Sequence, residues 1–150
     1  MRKAFIAAGT VLALAAPLSA LAQAKPEQLV KQRQSAMTLI AKYFGPIAGM
    51  VQGKIPYNAD VVSRNATYVE NLAQMPWDGF NESTKGEKSA ARPEIWTEPK
   101  KFQEAADRLQ GEVVKLATAA RAKDEAGVKA QFGAVGKACG ACHDSFRVKQ

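Results

Sequence analysis

The chain has 150 residues, with 21 Lys and Arg against 14 Asp and Glu, two Cys and one His. That length gives a single domain with a core of its own, and 47% hydrophobic with 23% charged residues excludes a disordered chain. Two Cys exclude a disulfide scaffold, and one His excludes every two-His zinc motif and a bis-His haem.

Arg2 and Lys3 precede an apolar run over residues 4–17 and the small residues Ser19-Ala20-Leu21-Ala22. This reads as a secretory signal peptide over residues 1–22, cleaved after Ala22, with Ala24 as the alternative. Gly9, Thr10 and Pro17 interrupt the run, which is short of the roughly 20 residues that a spanning helix needs. The expected product, residues 23–150, is a soluble protein of a bacterial periplasm. Its basic residues are mixed with acids along the chain, without the basic stripe and interleaved aromatics that nucleic acid would require.

Pro26 suits the first turn of a helix. Leu29, Arg33, Ala36, Met37, Ile40, Ala41 and Phe44 follow at three- and four-residue steps, and Gly45-Pro46 should kink or end the helix, although Ile47, Ala48 and Val51 could carry it a little further. Asn58 is a good cap for a second helix, with Val61, Val62, Ala66, Val69, Leu72 and Ala73 on its apolar face and Pro76 as its stop. Residues 76–97 have no period and form a long loop, which Trp77, Phe80, Ile95 and Trp96 should seat on something apolar. Thr97 is expected to cap a third helix, whose stripe is Phe102, Ala105, Ala106, Leu109, Val113, Leu116, Ala117 and Ala120. After a turn at Lys123-Asp124, a fourth helix carries Val128, Phe132, Val135, Cys139, Cys142 and Phe146 on one face. No segment alternates like a strand. The predicted fold class is all-α, an antiparallel four-helix bundle.

Cys139-Gly140-Ala141-Cys142-His143 is C-x-x-C-H, the attachment motif of c-type haem. Two thiols three residues apart lie one turn apart on a helix and can add to the two vinyl groups of one porphyrin. His143 follows directly, so its imidazole can reach the iron from one side. A thioredoxin-like redox pair needs a βαβ setting, which is absent. A structural zinc needs four ligands, and only three are at hand. Seven residues follow His143 and none is Met, so a second axial ligand comes from Met37, Met50 or Met75, or is absent. Gly133, Gly136 and Gly140 are costly inside a helix. They would admit either the porphyrin or a neighbouring helix close to the backbone.

With these residues in view, the chain resembles the class II c-type cytochromes, and specifically the cytochrome c prime family of proteobacteria. The carriers are Arg33-Gln34-Ser35-Ala36-Met37, Pro56-Tyr57, Pro76-Trp77 with Phe80, Arg92-Pro93-Glu94-Ile95-Trp96, and the haem motif near the C-terminus with Arg147. The resemblance implies one haem inside the bundle, bound covalently through Cys139 and Cys142, with His143 as proximal ligand and the sixth position open. It implies a protein that binds nitric oxide and carbon monoxide or carries single electrons, paired as a homodimer through the first two helices. Arg33 and Gln34 match positions that contact the haem propionates, which want charge-assisted partners. Trp77 and Phe80 match aromatics that pack near the haem, and Arg147, four residues after His143 and expected on the same helical face, matches a basic residue beside the proximal His. Met37 matches the position facing the open side of the iron. There it either fills the distal pocket or ligates the iron, as a Met does in low-spin relatives resembling cytochrome c-556. Peroxidase chemistry would want a distal acid–base pair, and the only His is already used, so no enzyme is expected.

Overall fold

The computed structural model describes residues 24–149. The expected signal peptide, residues 1–22, lies outside them. Helix α1 spans Pro26–Val51, α2 Ala59–Leu72, α3 Glu94–Thr97, α4 Pro99–Arg121 and α5 Glu125–Phe146, with 3-10 turns at Trp77–Phe80 and Glu82–Thr84. The four long helices form the bundle: α1 packs on α2, α2 on α4, α4 on α5, and α5 returns to α1. Among the described residues the only bridge outside the helices is the isolated antiparallel pair Ala91 and Arg147.

The expected periodicity becomes the core. Ile40 and Ile47 of α1 meet Val62, Ala66 and Val69 of α2, Leu109, Val113 and Leu116 of α4, and Val128 and Val135 of α5. Asn58 caps α2 as expected, accepting the N–H groups of Asp60 and Val61 at 3.1 Å each. Asp124 is more than a turn residue: it caps α5 by accepting from the Gly127 N–H at 3.0 Å. A Cβ on Gly127 would stand 2.3 Å from Asp124 Oδ2, so any larger residue there would have to turn the capping carboxylate aside.

Two local expectations are decided by the structure. First, of the two courses open at Gly45-Pro46, α1 takes the continuation and does not end there. It runs on to Val51 because Ile47, 0% exposed, and Met50 bury in the core. Pro46 sits on the exposed side of the helix, where the carbonyl it leaves without a helical partner, that of Lys42, can be hydrated. Second, Thr97 does not cap the third long helix. It closes the short α3, its hydroxyl turned back to Pro93 O at 3.4 Å. Glu98 holds the cap position of α4, and Pro99 at the first helical position sets the start.

The long connection is organised despite its lack of period. Trp96 Nε1–H donates to Asn81 O at 3.1 Å, Asn81 caps the second 3-10 turn through Ser83 N–H, and Thr84 is completely buried. This segment covers the end of the bundle that carries the haem motif.

Candidate functional site

Helix α5 presents Cys139 and Cys142 one turn apart, both half-buried free thiols. Cys139 packs against the same core that Met37, Phe44, Trp77 and Phe132 abut. Burial pushes both thiols above their ordinary 9.0, and the neighbouring Cys139 pushes Cys142 further. Two neutral thiols on an apolar face suit addition to a hydrophobic macrocycle. His143, next in the chain, has its pKa lowered by desolvation and then by Arg147, with Asp144 opposing. The two lowering effects favour the neutral imidazole, the form that a metal requires.

Gly133, Gly136 and Gly140 are exposed, and a Cβ at any of them would meet nothing within 4 Å. No neighbouring helix uses the space.

An aromatic cluster stands beside the motif. Phe102 of α4 lies edge-on to Phe146, whose ring is 5.2 Å away and one turn beyond Cys142. Phe102 also meets Phe80 at 5.0 Å and Trp77 at 5.9 Å. Trp77 is held by its indole N–H on Ala73 O at 2.7 Å. Sequence periodicity placed Phe102 and Phe146 on core faces without marking them as neighbours of Trp77 and Phe80.

Arg33 is 3% exposed, which is rare for a cation without a carboxylate partner. Its guanidinium donates to Gly79 O, to Thr84 Oγ1 at 3.1 Å and to Ser89 Oγ at 3.0 Å. It also lies 4.3 Å from the centroid of Phe80. Burial lowers its pKa. Gly79 is forced by this approach: a Cβ there would stand 2.8 Å from Leu29 O and 2.9 Å from Arg33 Cβ. Gly79, Thr84 and Ser89 were not singled out by sequence. They lie 46 to 56 positions from Arg33, and their only signal was membership of a polar loop rich in small residues.

The other candidates separate. Gln34 is exposed on α1 beside Arg33 and does not join the buried cluster. Met37 is half-buried against the core. Met50 lines a cavity at the other end of the bundle with Tyr57, Glu125 and Lys129, and Lys129 is roughly 15 Å down α5 from Cys139 at the helical rise. Met75 is 60% exposed. Of the three methionines, Met37 alone lies one helical turn from the buried Arg33.

Arg147 requires a correction. It does not extend the helical face of His143, because α5 ends at Phe146 and Arg147 is extended, with φ −127° and ψ 136°. Its backbone is drawn away by the bridge to Ala91. It nonetheless remains beside His143: its N–H bonds to His143 O at 3.1 Å, and its charge acts on the imidazole.

A cavity of about 470 Å³ opens alongside the thiol face of α5, sharing Phe146 with it and lined by Ala138, Ala141 and Ser145 together with Arg92, Glu94 and Lys101. Its charged walls do not suit a porphyrin. The thiol face, the neutral imidazole, the aromatic cluster and the buried cation do, and they fit a c-type haem.

Residues 28–147 match the family model described as Cytochrome C'. The chain belongs to the cytochrome c prime family. It is 42% identical to cytochrome c prime of Alcaligenes xylosoxydans xylosoxydans over 85% of its own length and 98% of that protein. It is 41% identical to cytochrome c prime of Rubrivivax gelatinosus, covering 83% of this chain and 98% of the relative. Among solved structures, it resembles a nitric oxide complex of a leucine-to-alanine variant of cytochrome c prime from Alcaligenes xylosoxidans. The TM-score is 0.80 and the identity 42%, with 85% of this chain and 99% of that one covered. Cytochromes c prime carry a covalent haem c, and Cys139 and Cys142 are the two thiols this chain supplies for it. No helix among the described residues is long and apolar enough to cross a membrane.

Proposed function

We propose that this cytochrome c prime is a periplasmic carrier whose haem iron is held by His143 alone and takes up nitric oxide, carbon monoxide or a single electron. The observation that carries the reading is Met37. It is half-buried against the apolar core, and by resemblance its position matches the one that faces the open side of the iron in the family. Kinship to a protein solved as a nitric oxide complex supports the gas.

The haem supplies the iron that accepts a gas or an electron, and the chain sets the conditions. Cys139 and Cys142 fix the ring, and neutral His143 binds from the proximal side. Arg33 has five N–H donors and three partners, which leaves donors and an uncompensated charge for the propionates. Gln34, on the same turn, assists from the solvent side. Trp77 and Phe80 wall the ring. Around Met37 the apolar surroundings admit small neutral gases and penalise anions, which would lose hydration without a partner. The only His is taken as the proximal ligand and Met37 packs against an apolar core, so the protein is read as a carrier and not an enzyme.

The test is the optical spectrum of the ferric and ferrous protein before and after nitric oxide. A high-spin ferric spectrum and tighter gas binding in Met37→Ala are expected. The second reading, Met37 as sixth ligand in a low-spin electron carrier resembling cytochrome c-556, rests on the softness of the thioether. A low-spin spectrum with a sulfur-to-iron charge-transfer band that vanishes in Met37→Ala would establish it instead. Intact mass reports export as well: it should correspond to residues 23–150 plus one haem.

We further propose a homodimer through α1 and α2. Leu39 is 39% exposed and Tyr68 42% exposed, and Tyr68 packs on Tyr43 at 4.8 Å. Together they make an apolar patch on the outer side of these helices. Sedimentation should find a dimer that Tyr68→Lys converts to monomer. A wild-type monomer at the same concentration would refute it.

A further inference from the structure

We propose that Arg92 is a positioning residue for the proximal side of the haem: it clamps the end of α5 and thereby fixes Arg147 beside His143. The proposal rests on His143 being the iron ligand.

The last carbonyls of a helix have no partner within it. In α5, His143 O takes the Arg147 N–H at 3.1 Å, and two others fall to one residue of the long connection. Arg92 gives its backbone N–H to Phe146 O at 3.0 Å and its guanidinium to Asp144 O at 3.3 Å. A cation is favoured at a helix C-terminus. The other arm of the guanidinium meets Glu94 Oε1 at 2.5 Å, which fixes the direction of the fork. A lysine cannot reproduce this, because one ammonium lacks two rigid arms for a carbonyl and a carboxylate at once.

The clamp continues into Arg147. Val148 N–H bonds to Ala90 O at 2.8 Å, and Ala91 bridges Arg147, so residues 146–148 run as a short antiparallel pair with residues 90–92. Chain ends fray unless tied down: the main-chain pairing holds the Arg147 backbone extended next to His143, and the Arg92 guanidinium on Asp144 O, braced by Glu94, anchors that pairing to the end of α5. Ser89 ties the same segment to the other side of the site: its Oγ accepts from Arg33 at 3.0 Å and from the Ala91 N–H at 3.3 Å. One stretch of loop thus connects the buried Arg33 to the residue beside the proximal imidazole.

The test uses the full haem-bearing protein with Arg92→Ala and Arg92→Lys. Hydrogen exchange at residues 146–148 should quicken by about tenfold in both variants, as a local opening that leaves α1 and α2 unchanged. Nitric oxide dissociation from the ferrous protein should change by roughly three- to tenfold, and the ferric spectrum should shift, with Arg92→Lys failing to restore either. A clamp that only staples the terminus would change exchange and leave dissociation and spectrum as in wild type; that result overturns the proposal, as does unchanged exchange. If the wild type takes up no nitric oxide, the gas-binding reading falls on its own. The ferric spectrum then decides the Arg92 proposal: shifted in Arg92→Lys supports it, unchanged overturns it.

Discussion

Protein in which Cys139 and Cys142 are both changed to Ala is expected to retain no haem after denaturation, whereas the wild type keeps one. The chain has only these two Cys, so no other thiol can take their place. They stand one turn apart, unpaired and half-buried, with burial holding both as thiols. Each thioether turns the haem from an exchangeable ligand into part of the chain. Without them the haem stabilises the bundle only in proportion to its free concentration. The thermal midpoint should therefore fall and become dependent on added haem. Intact mass under denaturing conditions reads the result directly. Covalent haem surviving in the double variant would sink the attachment assignment.

Arg33→Ala is expected to be the most damaging substitution away from the motif. It removes three hydrogen bonds and the contact over Phe80, and it leaves the buried Gly79 O with only the Thr84 hydroxyl, at 3.2 Å, as a side-chain donor. Thr84 is partly spared because its hydroxyl also donates to Asn81 O at 2.8 Å. Leaving buried partners unsatisfied and a cavity beside them should cost about 3–5 kcal/mol. Arg33→Lys should recover little, since one ammonium cannot serve acceptors on both terminal nitrogens. Gly79→Ala attacks the same joint from the other side, pressing a methyl to 2.8 Å from the Leu29 carbonyl, at a cost of about 1–3 kcal/mol. Urea unfolding of the haem-bearing proteins measures all three. A cost below about 1 kcal/mol for Arg33→Ala, the level of an ordinary surface change, would mean the network contributes little.

These two predictions differ in how far they can be reached from the sequence. The thiols are local: spacing along one helix puts them on one face, and the adjacent His follows from the same periodicity. The Arg33 joint is not local. An arginine inside an apolar stripe could be seen, and the family resemblance suggested a partner for it. Its three protein acceptors come from a loop whose composition carries no period, so no pattern named Gly79, Thr84 or Ser89.

The departures share that cause. Pro46 argued for a helix end, yet the burial of Ile47 and Met50 beyond it outweighs one missing hydrogen bond. Thr97 is a good cap by type, but the turn that starts at Glu94 claims it first. Arg147 lies at helical spacing from His143, and a bridge to a residue 56 positions earlier, Ala91, takes it off the helix.

By itself, then, the sequence determined whatever depends on neighbours within a few turns: four amphipathic helices, the Asn58 cap, the haem-attachment motif and its family. Short-range periodicity and fixed covalent spacing suffice for these. Only the tertiary structure decided what sits around the motif: the Arg33 joint, the aromatic cluster joining Trp77 and Phe80 to Phe102 and Phe146, and the clamp of Arg92 on α5. Each depends on polar or aromatic groups far apart in the chain meeting inside the fold, where unsatisfied donors and acceptors are expensive and each must find its partner.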